Sequence, residues 1–143
     1  MTRINSSIKP ANLCDAHLFA EYRELKRIPN TISSGKAVIK NIPKIFSLSK
    51  GHVKFYYNKL KYLHNRNDAL YKELVNRGYN VENYSSCFNF LPAELYNDWD
   101  DKKAKPILVE RITERLKTMK NLKYYRESIT VEEAILKLNN YEN

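Results

Sequence analysis

The sequence has little or none of several features that define large classes of proteins. Only three of its 143 residues are glycine, whereas Lys, Leu, Glu and Tyr are abundant, and this composition favours a mostly helical fold. No apolar run approaches the roughly 20 residues that a membrane-spanning helix needs. The first ten residues contain no apolar segment of the kind found in secretory signals. We therefore predict a soluble protein that has no secretion signal and does not enter membranes.

Cysteine and histidine are also scarce. The two cysteines, Cys14 and Cys87, are 73 positions apart and form no CxxC pair, so two free thiols are favoured, although a disulfide stays open. The three histidines, His17, His52 and His64, do not combine with the cysteines into a metal-ligand spacing. We predict no metal and no other cofactor.

Positive charge is in excess and unevenly distributed. The net charge is +9, which favours a polyanionic partner, with nucleic acid first and an anionic membrane surface second. Residues 31–80 carry ten Lys/Arg against two acids, residues 81–101 carry none against five, and residues 102–143 carry ten against six. The simpler interpretation, a solubilising surface, stays open for the charge excess alone.

Apolar periodicity predicts two helices in the first half of the chain. The first covers residues 12–27, with Leu18, Tyr22 and Leu25 on one face and Pro29 as a stop signal. The second covers residues 52–77 and carries a long apolar stripe that only Asn67 interrupts. Gly78 follows it, where a left-handed C-terminal residue is expected.

Two more helices are predicted in the second half, after an irregular acidic segment at residues 80–101. One begins near Pro106, and a shorter one begins at Thr130, where Thr130 and Glu133 form a capping-box pattern. In the first of these, Leu108, Ile112, Leu116 and Met119 face inward and Arg111, Arg115 and Lys117 face outward. The fold class is therefore all-α: a compact single domain of three main helices and long loops, with a short C-terminal helix.

The polar face of the first helix holds candidate functional groups. Ala16, His17, Ala20, Arg23, Glu24 and Arg27 recur at spacings of three and four. They place a carboxylate between cations on a face that two alanines keep open. A solvated face with intrahelical ion pairs is the alternative, and the pattern alone favours it.

The N-terminus offers a second candidate group. Thr2 is small, so we expect Met1 to be removed, which would expose the α-amine of Thr2. An α-amine has a pKa of about 7.7–8.0, against about 10.4 for lysine, so part of it is unprotonated at neutral pH. Nearby cations such as Arg3, Arg23 and Arg27 would lower that pKa further. Such an amine is suited to form a Schiff base with a carbonyl carbon.

Several stretches together resemble the pyrimidine-dimer DNA glycosylases of phages and algal viruses, also called phage endonuclease V. The stretches are residues 1–5 (MTRIN), 17–27 (HLFAEYRELKR), 42–46 (IPKIF), 51–60 (GHVKFYYNKL), 76–81 (NRGYNV), 111–112 (RI) and 123–125 (KYY). The resemblance covers roughly residues 1–125. It departs at Ala16, where the family commonly has Gln, and around the KYY motif, where the family has Trp-Tyr before it and Gly after it.

The resemblance implies a function and a set of site residues. The Thr2 amine would attack C1′ of the 5′ nucleotide of a pyrimidine dimer, form an imine and cut the strand by β-elimination, with Glu24 as the essential carboxylate. The implied DNA-binding residues are Arg3, His17, Arg23, Arg27, Lys123, Tyr124 and Tyr125. Outward-facing Arg111 and Arg115 and the polar interruption Asn67 are further DNA-binding candidates.

The same resemblance implies the organisation and setting of the protein. Residues 1–125 would form the glycosylase-like domain, and residues 126–143 an extension packed on it. The protein would act as a monomer on double-stranded DNA containing pyrimidine dimers or abasic sites, in the bacterial cytosol or the cytoplasm of a phage or virus host. Two alternatives stay open: the same chemistry on abasic or ring-opened purine lesions, and a non-catalytic basic DNA-binding module.

Overall fold

A computed structural model describes residues 3–119 and 129–139, and its regular elements are all helical over these residues, which confirms the predicted all-α class. We number the α-helices in chain order: α1 (Asp15–Leu25), α2 (Arg27–Ser33), α3 (His52–Phe55), α4 (Leu60–Asn76), α5 (Lys105–Lys117) and α6 (Val131–Leu138). Short 3-10 helices lie at Pro10–Asn12, Tyr56–Asn58, Ser85–Phe88, Ala93–Leu95 and Lys102–Ala104. The three main helices of the prediction correspond to α1, α4 and α5.

The described residues divide into two compact units that are discontinuous along the chain. One contains residues 3–4 and 21–99, and the other contains residues 5–20, 100–119 and 129–139. Helix α1 contributes residues to both. The predicted boundary between residues 125 and 126 lies outside the described residues and stays a prediction.

The first unit is built around α4 and an aromatic cluster. The apolar stripe of α4 is completely buried at Leu60, Leu63, Leu70 and Leu74. Trp99 packs against the rings of Phe46, Phe55, Tyr56 and Tyr62 at centroid distances of 5.1 to 5.8 Å. These ring contacts join the irregular segments that carry Phe46 and Trp99 to α3 and α4.

The predicted continuous helix over residues 52–77 is wrong, because the chain breaks into α3, a 3-10 turn and α4. Lys59 leaves the helical region with φ −128° and ψ 42°. Its ammonium donates to the Phe55 carbonyl at 3.0 Å and to Asn58 Oδ1 at 2.9 Å, which satisfies a carbonyl freed by the break. The break allows the consecutive Phe55 and Tyr56 both to be buried.

The predicted end of α4 is confirmed in detail. Gly78 has φ +89°, its N–H donates to the Val75 carbonyl at 2.9 Å, and the Tyr79 N–H donates to the Leu74 carbonyl at 3.0 Å. These two bonds form a Schellman motif, which satisfies the last carbonyls of the helix and needs a left-handed residue.

The predicted stop at Pro29 is wrong. Helical structure resumes at Arg27 after α1, and Pro29 is the third residue of α2 and is buried. Proline is tolerated in the first turn of a helix, because its missing N–H has no intrahelical partner there. Pro29 therefore lies near a helix start and does not end one.

The acidic segment at residues 80–101 is irregular as predicted, and His64 of α4 holds it in place. The His64 ring nitrogens lie 2.8 Å from the Tyr96 hydroxyl and 2.7 Å from Ser85 Oγ. The ring also stacks on Phe88 at 4.8 Å, with only 2° between the planes. Ser85 and Phe88 belong to the first 3-10 helix of the segment, and Tyr96 directly follows the second, so both are held against α4.

In the second unit, α5 and α6 follow the sequence pattern. Leu108, Ile112 and Leu116 of α5 are buried as predicted. The capping box of α6 is also confirmed, with the Glu133 N–H donating to Thr130 Oγ1 at 3.1 Å and the Thr130 N–H donating to Glu133 Oε1 at 3.3 Å. Met119 lies beyond the end of α5 and is half-buried.

Candidate active site

The N-terminal segment is held against residues 47–52. The Arg3 guanidinium donates to the Leu48 carbonyl, Ile4 is completely buried, and the Ile4 N–H lies 3.0 Å from Nε2 of His52. The proposed nucleophile, Thr2, precedes this anchored pair in the chain but lies outside the described residues. The anchoring therefore fixes the backbone at Arg3 and Ile4, the residues that follow Thr2 in the sequence.

Helix α1 presents Glu24 as an accessible carboxylate. Its side chain is 21% exposed, and Glu24 Oε1 lies 3.8 Å from Nη1 of Arg27, whose own side chain is 58% exposed. Arg23 is exposed next to it. A side chain at this exposure, beside a loosely paired cation, is accessible to a ligand.

Three cations predicted to bind DNA belong to the same unit as Glu24. Arg23 and Arg27 are exposed and available for phosphate oxygens, whereas Arg3 is half-buried and already donates to the Leu48 carbonyl. Arginine suits such a role, since its planar fork of donors matches a phosphate group. Arg23 and Arg27 are therefore exposed surface cations, whereas Arg3 also supports the N-terminal segment.

A second carboxylate of α1, Glu21, has a different role. It is completely buried, and its two oxygens accept from Nε and Nη2 of Arg66 on α4 at 2.8 and 2.9 Å. Burial alone would lower the pKa of Arg66, but the Glu21 carboxylate more than offsets this and raises that pKa above its ordinary value. Of the two acids in the EYRE segment, Glu21 is paired in the core and Glu24 is accessible.

This buried pair was not predicted, although the sequence contains a signal for it. Glu21 lies three residues after Leu18 and four before Leu25, on the apolar face of α1. Arg66 lies three residues after Leu63 and four before Leu70, on the apolar face of α4. Opposite charges on two apolar faces indicate a buried ion pair between them.

Tyr22 fixes α1 to the acidic segment. Its hydroxyl donates to the Glu82 carbonyl and accepts from the Tyr84 N–H at 3.2 Å, and its ring packs on Tyr84 at 5.2 Å. Burial raises the pKa of Tyr22 to about 12, so the hydroxyl stays a neutral donor. The helix turn that carries Arg23 and Glu24 is thus tied down by the residue before them.

In the second unit, His17 is a neutral imidazole. Burial, with a smaller contribution from the Arg115 cation, lowers the pKa of His17 from 6.5 to about 4. Its Nδ1 lies 3.6 Å from the buried thiol of Cys14. The other two candidates of this unit are on α5, where Arg111 is half-buried and Arg115 is exposed.

Asn67 does not lie on an accessible surface. It is completely buried on α4, and its Nδ2 lies 3.2 Å from Asp68 Oδ1. Its Oδ1 has no hydrogen-bond partner in the described part of the chain. Contact with DNA would require α4 to move away from its neighbours, so we leave Asn67 out of the proposed binding surface.

The remaining candidates, Lys123, Tyr124 and Tyr125, lie outside the described residues, like Thr2, and stay predictions. Within residues 3–119 and 129–139, no group of three or more His, Cys, Asp or Glu side chains could hold a metal ion. None of the helices described is both long and apolar enough to cross a membrane.

Residues 1–85, more than half of the chain, match the family model for pyrimidine dimer DNA glycosylase. The match contains the anchored N-terminal segment, all of α1 and the whole of α4. Glu24, Arg23 and Arg27 therefore all lie within the matched region.

Proposed function

Because the chain belongs to the pyrimidine dimer DNA glycosylase family, we propose that it excises cyclobutane pyrimidine dimers from double-stranded DNA and cleaves the strand as an AP lyase. Membership supports a DNA repair glycosylase whose substrate is DNA. The observation that supports the mechanism is the difference between two glutamates of α1: Glu21 is buried and paired with Arg66, whereas Glu24 is accessible.

The proposed reaction has two stages. The unprotonated amine of Thr2 attacks C1′ of the 5′ nucleotide of the dimer, and the glycosidic bond electrons leave with the pyrimidine, which takes up a proton. The amine loses a proton and the sugar ring opens, which gives an imine. A base then removes a C2′ proton, the 3′ phosphate leaves by β-elimination, and water releases the enzyme by hydrolysing the imine.

Glu24 supports both stages through its charge and its accessibility. As a carboxylate it stabilises the oxocarbenium-like cation that develops at C1′ during bond cleavage. It then serves as an acid and base for the proton transfers that follow. Glu21 cannot do either, since both of its oxygens already accept from Arg66 in the core.

Arg23 and Arg27 would bind the phosphates that flank the lesion, and the exposed Arg115 would add electrostatic attraction. On the resemblance of the sequence to the family, we propose that Arg3, His17, Lys123, Tyr124 and Tyr125 also contact DNA, and that Arg111 of α5, like Arg115, adds positive charge. Phosphate contacts of this kind position the enzyme on the duplex without reading sequence. We also propose that the protein acts as a monomer in the cytoplasm.

Borohydride trapping tests the proposal. Protein verified by mass spectrometry to lack Met1 is incubated with a duplex that carries one thymine dimer, and the reductant is added. We expect a covalent adduct on the Thr2 amine. Glu24→Gln should reduce adduct and cleavage roughly 10²–10⁴-fold while DNA binding persists.

Glu114→Gln is the matched control. Glu114 also forms an exposed i,i+3 pair, with Lys117 at 3.1 Å, and the substitution makes the same change in net charge. Its activity should equal that of the wild type. Duplexes with an abasic site or a ring-opened purine test the alternative substrates. If the protein cleaves only these duplexes, the dimer is not its substrate. Binding without any adduct would leave only a DNA-binding module.

A further inference from the structure

We propose that His52 is a positioning residue for the N-terminal amine, because its ring accepts a hydrogen bond from the backbone of Ile4, two residues after Thr2. The inference rests on the proposed function, since it concerns the same nucleophile. It assigns a role to the Gly51-His52-Val53 motif, which lies about 50 residues from the nucleophile in sequence.

The hydrogen bonds of His52 define which tautomer the ring adopts. Nδ1 lies 2.9 Å from the Ser47 carbonyl oxygen, which can only accept, so Nδ1 carries the proton. Nε2 lies 3.0 Å from the Ile4 backbone nitrogen, which can only donate, so Nε2 presents its lone pair. His52 is therefore a neutral ring that joins the N-terminal segment to the segment at residues 47–52.

The surroundings fix the ring in this orientation. His52 is 2% exposed, and it meets Phe46 and Tyr56 edge-on at centroid distances of 5.6 and 5.4 Å. The turn that delivers it depends on Gly51, which has φ +98°. A Cβ added there would also lie 3.2 Å from Cγ of Pro43. The ring can therefore neither rotate freely nor shift with the backbone.

The anchor acts on the nucleophile through the covalent chain. Two residues span at most about 7 Å, so fixing the Ile4 backbone confines the region that the Thr2 amine can reach. Attack requires the reacting atoms to approach within about 3–3.5 Å, and an error of about 1 Å can cost about 10²-fold in rate. Losing the anchor should therefore slow imine formation while leaving the affinity for DNA unchanged.

A pair of substitutions separates the two hydrogen bonds of His52. In His52→Gln the side-chain oxygen reaches the position of Nε2 and can accept from Ile4. In His52→Asn the shorter amide can still donate to Ser47 but does not reach Ile4. We expect His52→Asn to form the borohydride-trapped adduct up to about 10²-fold more slowly than the wild type. His52→Gln should restore most of the rate, and both variants should bind dimer DNA with the wild-type Kd.

A backbone ester at position 4 provides a variant that leaves every side chain in place. It replaces only the N–H donor of Ile4 by oxygen, and we expect the same slow adduct formation as for His52→Asn. Hydrogen exchange of the Ile4 amide gives a direct readout, with protection in the wild type and His52→Gln and faster exchange in His52→Asn. Urea unfolding establishes that each variant is folded at the assay temperature.

The outcomes distinguish this inference from the proposed function. If wild-type protein forms no adduct at the Thr2 amine, the function is wrong, and exchange of the Ile4 amide still decides whether the anchor exists. If the wild type forms the adduct but the ester variant and His52→Asn form it equally fast, the positioning role is overturned. Equal loss in His52→Gln and His52→Asn would also overturn it, because the Ile4 bond would then not be the cause.

Discussion

The two glutamates of the EYRE segment should respond in opposite ways to the same substitution. Glu21→Gln removes a charge from a completely buried side chain, whereas Glu24→Gln removes one from a side chain that is 21% exposed. We expect Glu21→Gln to lower the stability of the fold, and Glu24→Gln to slow the chemistry roughly 10²–10⁴-fold with little effect on stability.

The magnitudes follow from the contacts. In Glu21→Gln the Arg66 guanidinium loses its counter-charge although its side chain is only 7% exposed. One of its two hydrogen bonds to residue 21 is also lost, because the amide NH₂ of Gln cannot accept. Breaking a buried pair on one side costs about 3–5 kcal/mol. The Glu24–Arg27 pair is separated by 3.8 Å, with Arg27 58% exposed, so its loss costs at most about 1 kcal/mol.

Urea unfolding followed by circular dichroism measures the difference. With a denaturant slope of about 2 kcal/mol per M, Glu21→Gln should lower the unfolding midpoint by about 1.5–2.5 M and Glu24→Gln by no more than about 0.5 M. The double variant Glu21→Met/Arg66→Met replaces the pair by apolar groups and should recover most of the loss. Equal midpoints for the two Gln variants, or a double variant as unstable as Glu21→Gln, would refute the reasoning.

Three further predictions concern other parts of the molecule. The pKa of His17 is lowered from 6.5 to about 4, so the unfolded chain binds the proton more readily than the folded protein does. The free energy of unfolding should therefore fall by up to about 3 kcal/mol as the pH falls from about 6.5 to 4. Urea unfolding at pH 7.5 and 4.5 should show this loss in the wild type and a smaller one in His17→Gln, and identical losses would contradict it. Gly78→Ala should lower the free energy of unfolding by about 1 kcal/mol, because alanine is strained at φ +89°; an unchanged unfolding midpoint would count against the Schellman motif. Arg23→Gln and Arg27→Gln should each reduce the slope of log K against log salt by about 0.9 for damaged and undamaged duplexes alike, and an unchanged slope would mean that the residue contacts no phosphate.

The sequence by itself determined those structural elements whose hydrogen bonds and contacts all lie between residues close together in the chain. The capping box at Thr130 and Glu133, the left-handed Gly78 and the buried stripe of α5 were all predicted from spacing alone and are confirmed. Each depends on bonds or contacts between residues at most a few turns apart. The family was also recognisable from sequence, because its motifs combine several residue types at fixed spacing.

Only the tertiary structure decided how distant residues are combined. The break at Lys59 depends on burying Phe55 and Tyr56 together, which no local pattern requires. The Glu21–Arg66 pair joins residues 45 positions apart, and the bond from Ile4 to His52 joins residues 48 apart. The sequence shows that the EYRE segment of α1 carries both Glu21 and Glu24, but the burial of Glu21 against Arg66 of another helix decided which of the two holds the fold and which is accessible to a ligand.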